Sequence, residues 1–147
     1  GTITAMNNLS AIYHATGRND EAMGISERVL SLRQRILGEE HPDTIAAMQE
    51  LSESFGDAGR KTEAMEISER VLELQKRILG EEHPDTINEM YTLSRRYIDA
   101  GKNKEAIEIS QKALELRKRL HGEEHPDTIL AMKVIQLLQG DIDTSAF

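Results

Sequence analysis

Leu79-Gly80-Glu81-Glu82-His83-Pro84-Asp85-Thr86-Ile87 is one of three copies of a single connector, the others running from Leu37 to Ile45 and from His121 to Ile129. His41, His83 and His125 stand 42 residues apart, so the chain is a tandem array before it is anything else. In such an array each unit buries its apolar face on its neighbours and no central core is needed. The connector itself is a stop joined to a start. Gly80 ends one helix, Pro84 is excluded from a helix interior but welcome in a first turn, and Asp85 adds a favourable charge near the new N-terminus.

Working outward, the units are residues 1–42, 43–84 and 85–126, followed by a half unit over 127–140 and a tail over 141–147. Each full unit holds two helical patterns. Ile45, Met48, Leu51, Ser52 and Phe55 recur at helical steps, predicting a helix A over about 43–57. Gly59 closes it, as Gly17 and Gly101 do in the other units. Ala64, Ile67, Val71, Leu74 and Ile78 form a second stripe flanked by Met65, Ser68, Leu72 and Leu79. That width predicts a helix B over about 61–79 that is buried on two sides. The short connections make the helices antiparallel neighbours. In the half unit Ile129, Met132 and Ile135 keep the helix A stripe, while Leu130, Val134, Leu137 and Leu138 place apolar residues on another side.

Composition supports an all-helical array and excludes several functions. The 147 residues are 38% hydrophobic with two Phe, three Tyr and no Trp, lean for a globular core but rich in helix formers. The formal net charge is -8. That sign opposes nucleic-acid binding, and the charges read as solvated helix faces. No cysteine is present, which removes disulfide and thiolate chemistry. No apolar run approaches the roughly 20 residues of a membrane span, and no signal peptide is visible. The expectation is a soluble, intracellular, cytoplasmic chain, and a segment of a longer array.

Leu9-Ser10, Leu51-Ser52 and Leu93-Ser94 are followed by Tyr13, Phe55 and Tyr97, then by Gly17, Gly59 and Gly101, then by Ala22, Ala64 and Ala106. This alternation of small and large residues resembles the tetratricopeptide repeat, a helix-turn-helix unit of 34 residues. The eight additional residues and the connector resemble the 42-residue variety of kinesin light chains, which also occurs in arrays at the C-terminal end of signalling NTPases of the STAND or NLR type. Ile-Ser-Glu-Arg-Val-Leu, present at 25–30 and again at 67–72, leans toward the second home. The resemblance implies a right-handed α-solenoid of antiparallel helix pairs, three full repeats and a terminal helix, in which small residues let helices A and B approach and bulky ones fill the space beside them.

It also implies a function. In the family the A helices line a concave groove that takes a peptide. The matching positions here are Asn7, Asn8, Ala11 and His14; Gln49, Glu50, Glu53 and Asp57; Tyr91, Thr92, Arg95 and Asp99; and Lys133, Val134 and Leu137. The units differ most at these positions and agree at the packing positions. The chaperone-type carboxylate clamp is absent, since its positions hold Asn7, Ala11, Glu50, Asn88 and Thr92. An acidic cargo, of the kind kinesin light chains read, is disfavoured by Glu50, Glu53, Asp57 and Asp99.

The remaining motifs carry no chemistry. His121-Gly122-Glu123-Glu124-His125 matches a zinc-peptidase string, but Gly122 and Pro126 place the histidines in a connector rather than on one helical face. The Glu39-Glu40, Glu81-Glu82 and Glu123-Glu124 pairs read as solvated loop carboxylates. No nucleophile with its base, phosphate loop or catalytic dyad stands out. The sequence thus predicts a non-enzymatic scaffold without cofactor or metal, binding a protein or peptide partner and neither nucleic acid nor membrane. The alternative is a self-associating module that stacks end to end.

Overall fold

The computed structural model describes residues 2–122, with only the backbone of His14 and Asn19, and further on residues 124, 126, 128, 129, 132, 133, 135–137 and 140. Six helices are assigned among them: α1 (Thr2–Ala15), α2 (Asn19–Leu37), α3 (Pro42–Asp57), α4 (Lys61–Leu79), α5 (Pro84–Asp99) and α6 (Asn103–His121). The described residues between 126 and 140 are also helical, and none of the described residues is in a strand. The predicted limits of helices A and B in the second repeat match α3 and α4 to within one residue. The chain divides into two compact units, Gly1–Leu74 and Gln75–Phe147.

The helices start and stop where the connector dictates. His41 and His83 are extended N-caps, and their Nδ1 atoms accept hydrogen bonds from the backbone N–H of Asp43 (3.0 Å) and Asp85 (3.1 Å). Pro42 and Pro84 follow in the first turn, where no N–H is needed. The histidines predicted as plain connector residues therefore serve as caps, satisfying one of the donors a helix start leaves open. At the other end Gly59 adopts φ 80°, and Arg60 N–H then donates to the Phe55 carbonyl at 2.8 Å. Gly80, at φ 93°, ends α4 in the same left-handed region, open to glycine without a Cβ penalty.

In the first unit, α2 packs against both α1 and α3. One cluster joins Met23, Leu51, Phe55 and Ala64, a second joins Ile45, Met48, Val71 and Leu74, and Leu30 and Ile67 touch both. Full burial of side chains such as Val71 and Leu74 contributes about 1.5–3 kcal/mol each. Within each helix pair a serine hydroxyl fastens the close approach. Ser10 Oγ donates to the Ala22 carbonyl (3.2 Å) and meets Ser26 Oγ (3.3 Å). Ser52 Oγ does the same with Ala64 (2.8 Å) and Ser68 (3.0 Å). In the second unit Ser94 bonds to Ala106 (3.3 Å) and Ser110. Ala22, Ala64 and Ala106 are wholly buried, so a larger side chain would push the pairs apart.

Two expectations need correction. The stripe of helix B does not stay buried to its end: Ile36 and Leu37 of α2, Ile78 and Leu79 of α4, and Leu120 of α6 are exposed. The B helices have 19 residues against 14 in α1 and 16 in α5, a difference of about 5–8 Å in length, and the exposed residues fall in their last turn. The paired connector glutamates are not simply solvated either. Glu39 accepts two hydrogen bonds from Arg70 of α4, Nε at 2.8 Å and Nη2 at 2.7 Å. In the second unit Glu81 pairs with Lys112, and Glu82 with Arg119 at 2.6 Å. Arg70 and Lys112 are 42 residues apart, as are Glu39 and Glu81, so the contact belongs to the repeat.

Candidate functional site

The outward strip of an A helix is clearest on α3. On α3, Thr44, Ile45, Ala47, Met48, Leu51, Ser52, Ser54 and Phe55 are buried. Gln49, Glu50, Glu53 and Asp57, at helical steps between those residues, are exposed. On α1, Asn8 and Ala11 are exposed and Asn7 is half-buried; the side chain of His14 lies outside the described part of the structure. The first unit therefore presents amides on α1 and carboxylates on α3.

In the second unit Arg95 and Asp99 of α5 are exposed, while Tyr91 and Thr92 are half-buried. The Tyr91 ring lies under the Arg117 guanidinium of α6, 4.7 Å from its centroid, and Arg117 Nη2 donates to Asn88 Oδ1 at 2.9 Å. Tyr91 is thus a packing residue on one side and a surface residue on the other. Further on, Lys133 is exposed and Leu137 is 71% exposed. Val134, with Leu130, lies outside the described residues. Ile135, close in sequence to that exposed pair, is buried.

The electrostatics come from pairs beside these strips. Arg60 stacks on Phe55, 4.4 Å from the ring centroid, and binds Glu63, whose carboxyl it holds below the usual range. Arg18 repeats the stacking on Tyr13 at 4.7 Å. A hydrogen bond from Lys112 holds the Glu81 carboxyl low, and Glu39 first, then Glu73, hold the Arg70 guanidinium above its usual range. Sequence reading misses the Asn88, Tyr91 and Arg117 constellation because Arg117 lies on the partner helix, 29 residues from Asn88. A signal is present at Asn88 alone, which stands where the earlier repeats have Thr4 and Ala46, whereas Arg117 shares its position with Arg33 of the first repeat.

Among the described residues no group of three or more histidine or acidic side chains is placed to hold a metal ion. His121 is the last residue of α6, and its companion in the zinc-like string, His125, lies outside the described residues. No described helix is long and apolar enough to cross a membrane. What the outward strips offer is hydrogen-bond donors and acceptors, separated charges and one exposed leucine.

The sequence matches the tetratricopeptide repeat family over residues 1–76 and 58–119. The structure is similar to that of a kinesin light chain candidate of Podosopora anserina with nearly identical TPR-like repeats (TM-score 0.75, 26% identity, covering 93% of this chain and 65% of that one). A point variant of the same protein aligns with TM-score 0.77 and 25% identity over 97% of this chain and 69% of the other. BtubC (BKLC) of P. vanneervenii shares the fold at TM-score 0.76 and 20% identity, over 96% of this chain and 57% of that one. This chain therefore spans between 57% and 69% of the length of the kinesin light chain-like structures it matches. No curated protein sequence matches it significantly.

Proposed function

Because this chain belongs to the tetratricopeptide repeat family, whose repeats generally mediate protein–protein interaction, we propose that it is a non-enzymatic scaffold whose outward A-helix strips take a peptide or protein segment. One observation carries this reading. Most of the core positions keep their residue, as Ile45 and Ile87, Met48 and Met90, Leu51 and Leu93, Ser52 and Ser94, and Ala64 and Ala106 do, whereas most outward positions change from helix to helix: Asn7, Gln49, Tyr91 and Lys133; Asn8, Glu50 and Thr92; Ala11, Glu53, Arg95 and Leu137. A largely constant frame with a varied face is suited to recognition, because the exposed residues are less constrained by packing than the buried ones. The acidic strip on α3 favours a neutral or basic partner segment in the first unit, and Arg95 favours an acidic residue in the second. The near-identity of neighbouring repeats fits the array of a cytoplasmic STAND or NLR-type signalling protein as well as it fits the kinesin light chain candidate, whose repeats are nearly identical too.

The test is a peptide-display selection against the intact chain, followed by titration of the selected peptides into E50K, E53K and R95E variants. A ten-fold or greater loss of affinity in these variants, with unchanged melting, is expected. Peptides bound equally well by all three would place recognition elsewhere.

A second reading is end-to-end self-association, favoured by a specific face of α1. Leu9 is 41% and Ile12 57% exposed, whereas Leu51 and Ser54, at the equivalent positions of α3, are 4% and 8% exposed. Sedimentation of wild type against L9E and I12E across a hundred-fold concentration range decides it. A concentration-dependent oligomer that the glutamates abolish would support stacking, and a monomer throughout would remove it.

A further inference from the structure

We infer that the flank of the first helix pair, formed by α1 with Arg28 and Arg35 of α2, docks an amphipathic helix closed by a glycine and two glutamates and carried by another repeat polypeptide. The same flank one repeat later shows what such an occupant looks like. On α3, Thr44, Ala47, Leu51 and Ser54 recur at helical steps and are all buried. Helix α2 packs on α3, with Met23 against Leu51. The connector that leaves α2 continues the cover, since Glu39 accepts two hydrogen bonds from Arg70 of α4. In the second unit both connector glutamates are held, Glu81 by Lys112 and Glu82 by Arg119, from positions two helical turns apart on α6.

The first pair has the same frame without the cover. Its Ser10 bridge to Ala22 and Ser26 copies the Ser52 bridge to Ala64 and Ser68, so the two helices meet in the same way. Yet Thr2, Ala5, Leu9 and Ile12, at the positions of the four buried residues of α3, are exposed. Ile12 makes this stripe more apolar than its counterpart, which has Ser54 there. An aliphatic stripe left in water loses free energy that a packed helix recovers.

The cationic half of the flank is bare as well. Arg28 and Arg35 stand at the positions of Lys112 and Arg119, and both are exposed without an ion pair or hydrogen bond among the described residues. Arg28 lacks even a local partner: Arg70 also binds Glu73 at 3.0 Å, but Ser31 takes that place on α2. Seven residues set the two guanidiniums about 10 Å apart along one face of the helix, the spacing with which α6 holds two adjacent glutamates. On a chain of formal net charge -8, a free cationic pair beside an apolar stripe selects a helix with an acidic end. A second copy of this chain is the less suitable source. Thr128 and Ile135, the equivalents of Thr44 and Leu51, are buried, so the A-helix place after α6 is already filled.

This flank lies beside the outward strips and shares α1 with the self-association reading, but it names a different occupant. The test uses the intact chain and a fluorescein-labelled peptide with the sequence of residues 19–41, the segment that covers α3. A saturable rise in anisotropy is expected at low salt. R28E/R35E and L9E should each weaken the peptide at least ten-fold with unchanged melting, because the substituted side chains are exposed. E53K, on the outward strip, should leave its affinity unchanged. A peptide carrying E39K and E40K should prefer the R28E/R35E chain to the original one. No saturation at millimolar peptide, equal binding by every variant, or an effect of E53K as large as that of L9E would overturn the proposal. So would a concentration-dependent oligomer of the chain alone that R28E/R35E abolishes, which would give the flank to a second copy and leave the self-association reading standing.

Discussion

Helices α1 and α3 carry the same pattern, yet they live in different surroundings. Ser10 and Ser52 make the same hydroxyl bridge to the following helix, and Ala22 and Ala64 are equally buried. On the opposite flank they part: Leu51 is covered by α2 while Leu9 is 41% exposed. The repeat therefore encodes one interface completely, that within its own helix pair, and only half of the other. The missing half comes from the neighbouring B helix. A unit's stability is then a property of its neighbours as much as of its residues.

The largest effect that sharpens this comparison comes from the two leucines. Leu51→Ala is expected to cost about 2–5 kcal/mol in urea unfolding, the range for emptying a closed leucine site, and Leu9→Ala less than half as much. Equal losses would mean that α1 is covered in solution. Next comes the connector that precedes α3. His41→Ala removes the Nδ1 acceptor from Asp43 N–H and should cost about 1 kcal/mol, whereas His41→Asn, a strong cap, should restore it. If alanine and asparagine melt alike, the histidine is not acting as a cap.

A smaller, pH-dependent effect is expected from the connector of the second unit. Lys112 holds the Glu81 carboxyl below its ordinary value, so the pair stabilises the fold above the usual carboxylate pKa of about 4.3. That contribution is lost as pH falls through the lower value of the folded state. Lys112→Met should therefore flatten the acid limb of the stability profile and change little at low pH; an unchanged acid limb would dismiss the pair. Smallest of all, Glu53→Ala on the outward strip of α3 should shift stability by no more than about 0.5 kcal/mol. A larger shift would turn that strip into part of the frame.

The elements of the fold are legible because their boundaries are written in residues with one physical meaning each. Gly59 and Gly80 take up positive φ, Pro42 and Pro84 can only start a helix, and the Ser and Ala positions recur at the same steps in every unit. What stays hidden depends on register between helices. Glu39 and Arg70 are 31 residues apart, and nothing local tells a glutamate which later turn will face it. The histidine cap is hidden for another reason, since histidine is not among the residues usually preferred there. Periodicity places the outward strip of α3, and the family resemblance adds the positions on α1 and Tyr91; that Tyr91 is half-buried stays hidden because its ring is covered by Arg117 from another helix.

The central claim, that the frame holds and the outward strips recognise, is tested most directly by hydrogen–deuterium exchange of the intact chain with and without a display-selected peptide at saturating concentration. Protection is predicted in the segments of α1, α3 and α5 that bear Asn7, Asn8, Gln49, Glu50, Glu53, Tyr91 and Arg95, with α2 and α6 unchanged. Protection confined to the B helices or to the connectors at 38–41 and 80–83 would contradict the account.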